Sequence, residues 1–237
     1  MANRAYLRVW TRDFSEAALI EQFVRFLAAV PHSEPEKHFT RLMVQPIDAA
    51  ETPIAEWNLR GENFGPAETV ALALQYINSD TAYFVSAQWD LWQFDLESMK
   101  WQKSPSPVLL ACHGPDYDGG IAESEGNFQV DLSFEHLFTG HAGLLRAAGK
   151  PARQLAGEAA SPVVMPGAED PLEHTFIRWM ATENNRREYH RKTRENIQLL
   201  FDWMATIERA LPVERMELTS EGEENFEARL DEIYGQF

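Results

Sequence analysis

The chain has a single cysteine, Cys112, so it can build neither an intramolecular disulfide nor a cysteine zinc cluster. That fits a reducing compartment, and the cytoplasm is the expected location. Basic residues are scarce too: 21 Lys and Arg stand against 37 Asp and Glu, a formal net charge of −16. Such a field repels phosphate backbones and anionic lipid, so neither nucleic acid nor a membrane surface is an expected partner. No apolar run approaches the roughly 20 residues of a membrane span. Arg4, Arg8 and Arg12 interrupt the opening segment, so no secretory leader is expected there. GxxxxGK[ST], GxGxxG, GxSxG, HExxH and paired CxxC are all missing. A P-loop, a dinucleotide fold, a hydrolase elbow and a zincin therefore lack their usual sequence support.

What is there suffices for a folded core: 237 residues, 44% of them hydrophobic, bury most of their extended surface without a staple. RAYLRVWT alternates, with Ala5, Leu7 and Val9 on one side, and predicts a half-buried strand. SEAALIEQFVRFLAAVP then puts Leu19, Phe23, Phe26, Leu27 and Val30 at helical spacing, with Ser15 as cap and Pro31 as stop. A strand at 39–47 completes a βαβ unit. The stretch 67–78 fits a helix or a strand, and alanine content, Pro66 and Glu68 favour the helix. Strands follow from Ala82 toward Phe94, at 107–114 and at 126–134. Their short connections favour antiparallel pairing. Beyond residue 171 come a helix, a long amphipathic helix with Ile197, Leu200, Phe201, Met204 and Ile207 on one stripe, the strand VERMELTS, and a last helix opened by a Ser220/Glu223 capping box.

These elements predict an α+β fold: a mainly antiparallel, mixed sheet with helices packed on one face. The opening strand, helix, strand order resembles a ferredoxin-like half, an arrangement that hosts unrelated activities. Residues 1–145 read as the sheet region, and 146–171, rich in Ala, Gly and Pro, as a loop or linker. Residues 172–237 read as a helical segment, strand and final helix packing on the same domain.

Four patches carry candidate chemistry. DLSFEHLFTGHAGLL holds Glu135, His136 and His141, where a carboxylate beside a histidine suits acid or base catalysis. With His113, His136 and His141 would form an open divalent-metal set. The loop CHGPDYDGGIAESEG departs from a calcium loop and reads as a solvated turn. On the strand after Ala82, Trp92 and Phe94 share a face with Ser86, Gln88 and Asp90, a stacking surface for a ligand or partner unless the C-terminal helices cover it. NNRREYHRKTREN places Arg187, His190, Arg191 and Arg194 on one side of a helix, suited to gripping a carboxylate or phosphate, unless acidic residues of the tail satisfy them. The favoured reading is a non-catalytic binding or protein-interaction module, without a cofactor, for a protein partner or small anionic ligand. The alternative is an enzyme using a His/Glu site at 135–141 with His113, with or without a metal, and a cationic helix at 186–194 holding an anionic substrate.

Overall fold

The computed structural model describes residues 3–140 and 171–235. All of the expected linker except Pro171 lies outside those residues. Seven strands form one sheet: β1 (Arg4–Thr11), β2 (Arg41–Pro46), β3 (Ala55–Asn58), β4 (Thr81–Asp95), β5 (Lys100–His113), β6 (Phe128–Phe134) and β7 (Val213–Ser220). Their order is β3-β2-β4-β5-β6-β1-β7, and each neighbouring pair is antiparallel. The helices are α1 (Glu16–Ala28), α2 (Pro66–Ala73), α3 (Ala122–Glu125), α4 (His136–Thr139), α5 (Pro171–Met180), α6 (Glu183–Ala210) and α7 (Phe226–Gly235). This is the α+β class with an antiparallel sheet. The ferredoxin-like arrangement is not confirmed, because β4, β5 and β6 stand between β1 and β2. No described helix is long and apolar enough to cross a membrane.

Alternation decides which face of the sheet is covered. Tyr83, Val85, Ala87, Trp89 and Leu91 of β4 are at most 1% exposed and meet Phe23 and Phe26 of α1, Leu200 and Trp203 of α6, and Leu230 of α7. Each Val, Leu or Phe among them contributes roughly 1.5–3 kcal/mol by leaving water. Residues of the opposite parity, Phe84, Ser86, Gln88 and Asp90, point to the other face and are half-buried. The described residues cover that face only toward its ends. At one end residues 117–125 fold over His113, whose ring stacks on Tyr117 at 5.9 Å. At the other end α5 and the first turns of α6 pack aromatic rings on the tip of the β4–β5 hairpin.

The expected capping box is corrected in one respect. The Glu223 N–H does bond the Ser220 Oγ at 2.9 Å, but this closes a turn, and α7 begins only at Phe226. Ser220 is held by β7 and gives its own hydroxyl proton to Glu135.

The β4–β5 hairpin outruns its neighbours. β2 pairs with β4 only as far as Ser86, and β6 pairs with β5 only as far as Leu109. Pro105 and Pro107 suit this, since proline has no N–H for a further ladder. The unpaired edge of β4 is completed by groups from elsewhere. Gln88 O accepts the Ser33 N–H at 2.7 Å. At Trp92, Asn196 of α6 acts as a one-residue substitute strand: its Oδ1 accepts the Trp92 N–H and its Nδ2 donates to the Trp92 carbonyl, each at 2.8 Å. The same Nδ2 donates to the Leu137 carbonyl of α4 at 2.8 Å, and Asn196 is 0% exposed.

Replacing Asn196 with leucine orphans the Trp92 N–H and two carbonyls. Buried unsatisfied groups cost about 1–3 kcal/mol each, so Asn196→Leu is expected to lose about 3 kcal/mol or more in urea unfolding, with an unchanged m-value. A loss below about 0.5 kcal/mol would show that the clamp is dispensable.

Candidate binding groove

A concavity lies on the part of the sheet's outer face that the described residues leave bare, where the β4–β5 hairpin leaves its neighbours. Its volume is about 620 Å³, and its lining includes Arg4, Arg41, Arg60, Ser86, Gln88 and Leu109, with Glu56 and Asn58 at the β3 side. The register makes it a straight cross-strand row: Asn58 faces Arg41, Arg41 faces Ser86, Ser86 faces Leu109, and Leu109 faces Asp131. Three arginines thus meet one carboxylate, Glu56, in the lining of a groove on a chain of net charge −16.

Two of the arginines are held by acidic neighbours that leave part of each guanidinium free. Arg4 gives its Nε–H to Asp131 Oδ2 at 2.8 Å and places Nη2 2.5 Å from the same oxygen, which raises its pKa. Asp131 is steadied in turn by the Ser133 N–H on its other oxygen. Arg41 bonds Glu56 through Nε at 2.8 Å, and that hydrogen bond holds the Glu56 carboxyl below its usual range. Arg60 sits at the lip with its backbone N–H fixed by Asn58, and its exposed side chain has no partner among the described residues. The side chains of Ser86 and Gln88 likewise have no hydrogen-bond partner among the described residues. Leu109, 38% exposed, supplies the apolar floor. Exposed, partly free donors around a small apolar patch can bind anionic groups and an extended chain.

The residues singled out from the sequence lie elsewhere. His113 is 4% exposed at the end of β5, with its Nδ1 at 3.0 Å from the Gly126 carbonyl. Gly126, at φ +89°, lets that carbonyl turn: a Cβ there would lie 2.8 Å from Val9 O. His136 opens α4 beyond the other end of β6, its ring stacked on Phe134 at 5.6 Å. Because Cys112 pairs with Phe128 while Phe134 ends the strand, the two imidazoles are about 20 Å apart and do not share a point. His141 lies outside the described residues. Among those described, no three or more His, Cys, Asp or Glu are grouped to hold a metal ion. The Glu135 carboxylate accepts the Ser220 hydroxyl at 2.8 Å. Its charge raises the pKa of His136, but burial dominates and lowers it.

Trp92 and Phe94 do share their face with Ser86 and Gln88, at the hairpin tip. The Lys192 ammonium sits 3.1 Å from the Trp92 ring centroid. Phe94 lies 4.8 to 5.6 Å from the rings of Trp101, Phe176, Trp179 and Tyr189. On the cationic helix four of the cations pair with carboxylates of the helix itself. Arg186 and Arg187 pair with Glu183, and Arg191 and Lys192 pair with Glu195. His190 is lowered in pKa by burial and by Arg186 and Arg194. Arg191 and Arg194 border a shallow depression of about 380 Å³ beside Tyr234.

The arginine groove has no local sequence signal, because β1, β2, β4, β5 and the turn after β3 each contribute to it. The polar outward parity of Ser86 and Gln88 was readable, whereas the apposition of Arg4 and Arg41 depends on strand order. No protein-family model, curated protein or solved structure matches this chain.

Burial lowers the pKa of His113 below 6.5, and His32, His136 and His190 shift the same way for the same leading reason. As pH falls through the unfolded value, the unfolded chain takes up protons that the folded chain refuses. Stability is therefore full above about pH 6.5 and declines on acidification until the folded pKa values are reached. The unfolding free energy is expected to fall between pH 7.5 and 5.5, by at most about 1.4 kcal/mol per pH unit for each histidine kept neutral. His113→Gln is expected to be less stable at pH 7.5 and to show a shallower slope. An equally steep slope in that variant would mean that His113 does not contribute.

Proposed function

We propose that this protein is a non-catalytic, cytoplasmic binding module whose recognition surface is the bare stretch of its sheet. One observation carries the reading: the part of the sheet that the described residues leave open presents Arg4, Arg41 and Arg60 around Ser86 and Gln88 side chains that have no hydrogen-bond partner among those residues, in a strongly acidic chain. The chemistry on offer is recognition: guanidinium groups for anions, a hydroxyl and an amide for a backbone, and Leu109 for an apolar contact. The single thiol, Cys112, is buried at 0% exposure, and burial pushes its pKa well up, which suits a scaffold cysteine in a reducing compartment. A protein partner or an anionic ligand fits this surface, whereas the overall charge disfavours nucleic acid and anionic membrane.

A photo-crosslinking amino acid placed at Gln88, compared with one at the exposed Glu208 of α6, tests the location. Discrete, saturable adducts are expected from position 88 and not from 208, and Arg60→Glu is expected to remove them. Equal labelling from both positions, or none that depends on Arg60, would defeat the reading.

A further inference from the structure

Resting on that reading, we infer that the groove holds an extended acidic segment of a partner protein, with carboxylates at positions i and i+4 and an apolar side chain at i+2. The argument is one of spacing. The Arg4 guanidinium sits over Asp131 of β6, and Arg41 projects from β2, with Ser86 of β4 and Leu109 of β5 between them in the same row. Three inter-strand steps make about 14 Å, and four residues of extended chain cover the same length. In an extended chain, residues i, i+2 and i+4 point to one side. Two carboxylates spaced this way meet both cationic ends, and the residue between them falls over Leu109, 38% exposed. A helical segment with the same spacing brings its acids to about 6 Å and reaches only one end.

Charge complementarity decides the class of occupant. At physiological ionic strength the Debye length is about 8 Å, so distant carboxylates of the chain are screened at the groove while Arg4, Arg41 and Arg60 act at contact range. Arg60 lines the same groove as Arg41, and because Glu56 offsets Arg41 it gives that end its net positive charge. Gln88, one row along toward the hairpin tip, faces Pro107, and its unpartnered amide is placed to bond the backbone of a chain crossing the row.

The probes are fluorescein-labelled peptides ESVSE and ESVES, which have equal charge but differ in the position of the second glutamate, together with ESSSE. Anisotropy with the full chain is expected to show ESVSE bound about tenfold more tightly than ESVES, whose second carboxylate points away from the sheet. Arg41→Glu and Arg60→Glu are each expected to weaken ESVSE about tenfold or more, and Arg60→Lys less. Leu109→Ser is expected to weaken ESVSE while leaving ESSSE unchanged. These positions are exposed, and the melting curve of each variant serves as the check that it folds. Equal binding of ESVSE and ESVES overturns the inference, while Arg60-dependent crosslinking from position 88 would leave the broader reading standing. Stronger competition by a short oligothymidylate, or self-association lost in Arg60→Glu, overturns it in favour of nucleic acid or a second copy. Binding of no peptide at all overturns it too.

Discussion

The side-chain amide of Asn196 is the contact on which the architecture turns. A β4–β5 hairpin that runs past β2 and β6 leaves a raw strand edge, and raw edges invite pairing with other chains. Asn196 answers the Trp92 N–H and carbonyl at once and gives its remaining proton to Leu137. One residue of α6 thereby fixes three things: the hairpin, the corner at α4, and the register of the long helix against the sheet. In a buried setting a half-satisfied amide costs more than an apolar replacement, so the geometry must be met in full or not at all. Ser33 plays the same part nearer the base of the hairpin, bonding Gln88 O through its backbone and Asp90 through its hydroxyl.

That constraint shapes the proposed recognition surface. Because the hairpin is held from its edge and from its inner face, its outer face near the base needs no cover, and the residues there remain available. The contrast with α6 is instructive. Its Arg187 and Arg191 are spaced one turn from Glu183 and Glu195 and are answered locally, by exposed pairs of the kind that contribute little to stability. The groove arginines come from different strands. Their acidic neighbours Asp131 and Glu56 orient them and leave donors free, and Arg60 has no counter-charge among the described residues.

Much of the fold was legible because alternation and helical spacing are local. Ala5, Leu7 and Val9, and Tyr83 through Leu91, are buried on the side that parity indicated. The βαβ reading found the right elements but not their neighbours, since the pairing of β1 with β6 and β7 depends on contacts distant in sequence. β3 is four residues long, AEWN, too short to show a period. The first half of β5 was hidden by Pro105 and Pro107, which argue against a strand except where no further strand pairs. His113 and His136 were grouped as candidate metal ligands because both stand at strand ends. The intervening β6 carries the chain across the sheet instead, and that separation is set by register rather than by residue count.

An acidic protein with a cationic groove is not contradictory once range is considered. The net charge acts on an approaching polyanion over separations up to about a Debye length, where it repels nucleic acid and indiscriminate polyanions. Inside the groove the arginines act at contact distance, and Leu109 and Gln88 add requirements that charge alone does not meet. Long-range repulsion lowers the affinity for every anion, while short-range geometry restores it only for a ligand whose charges match the strand spacing. The combination exchanges affinity for discrimination, as recognition by a difference of free energies requires.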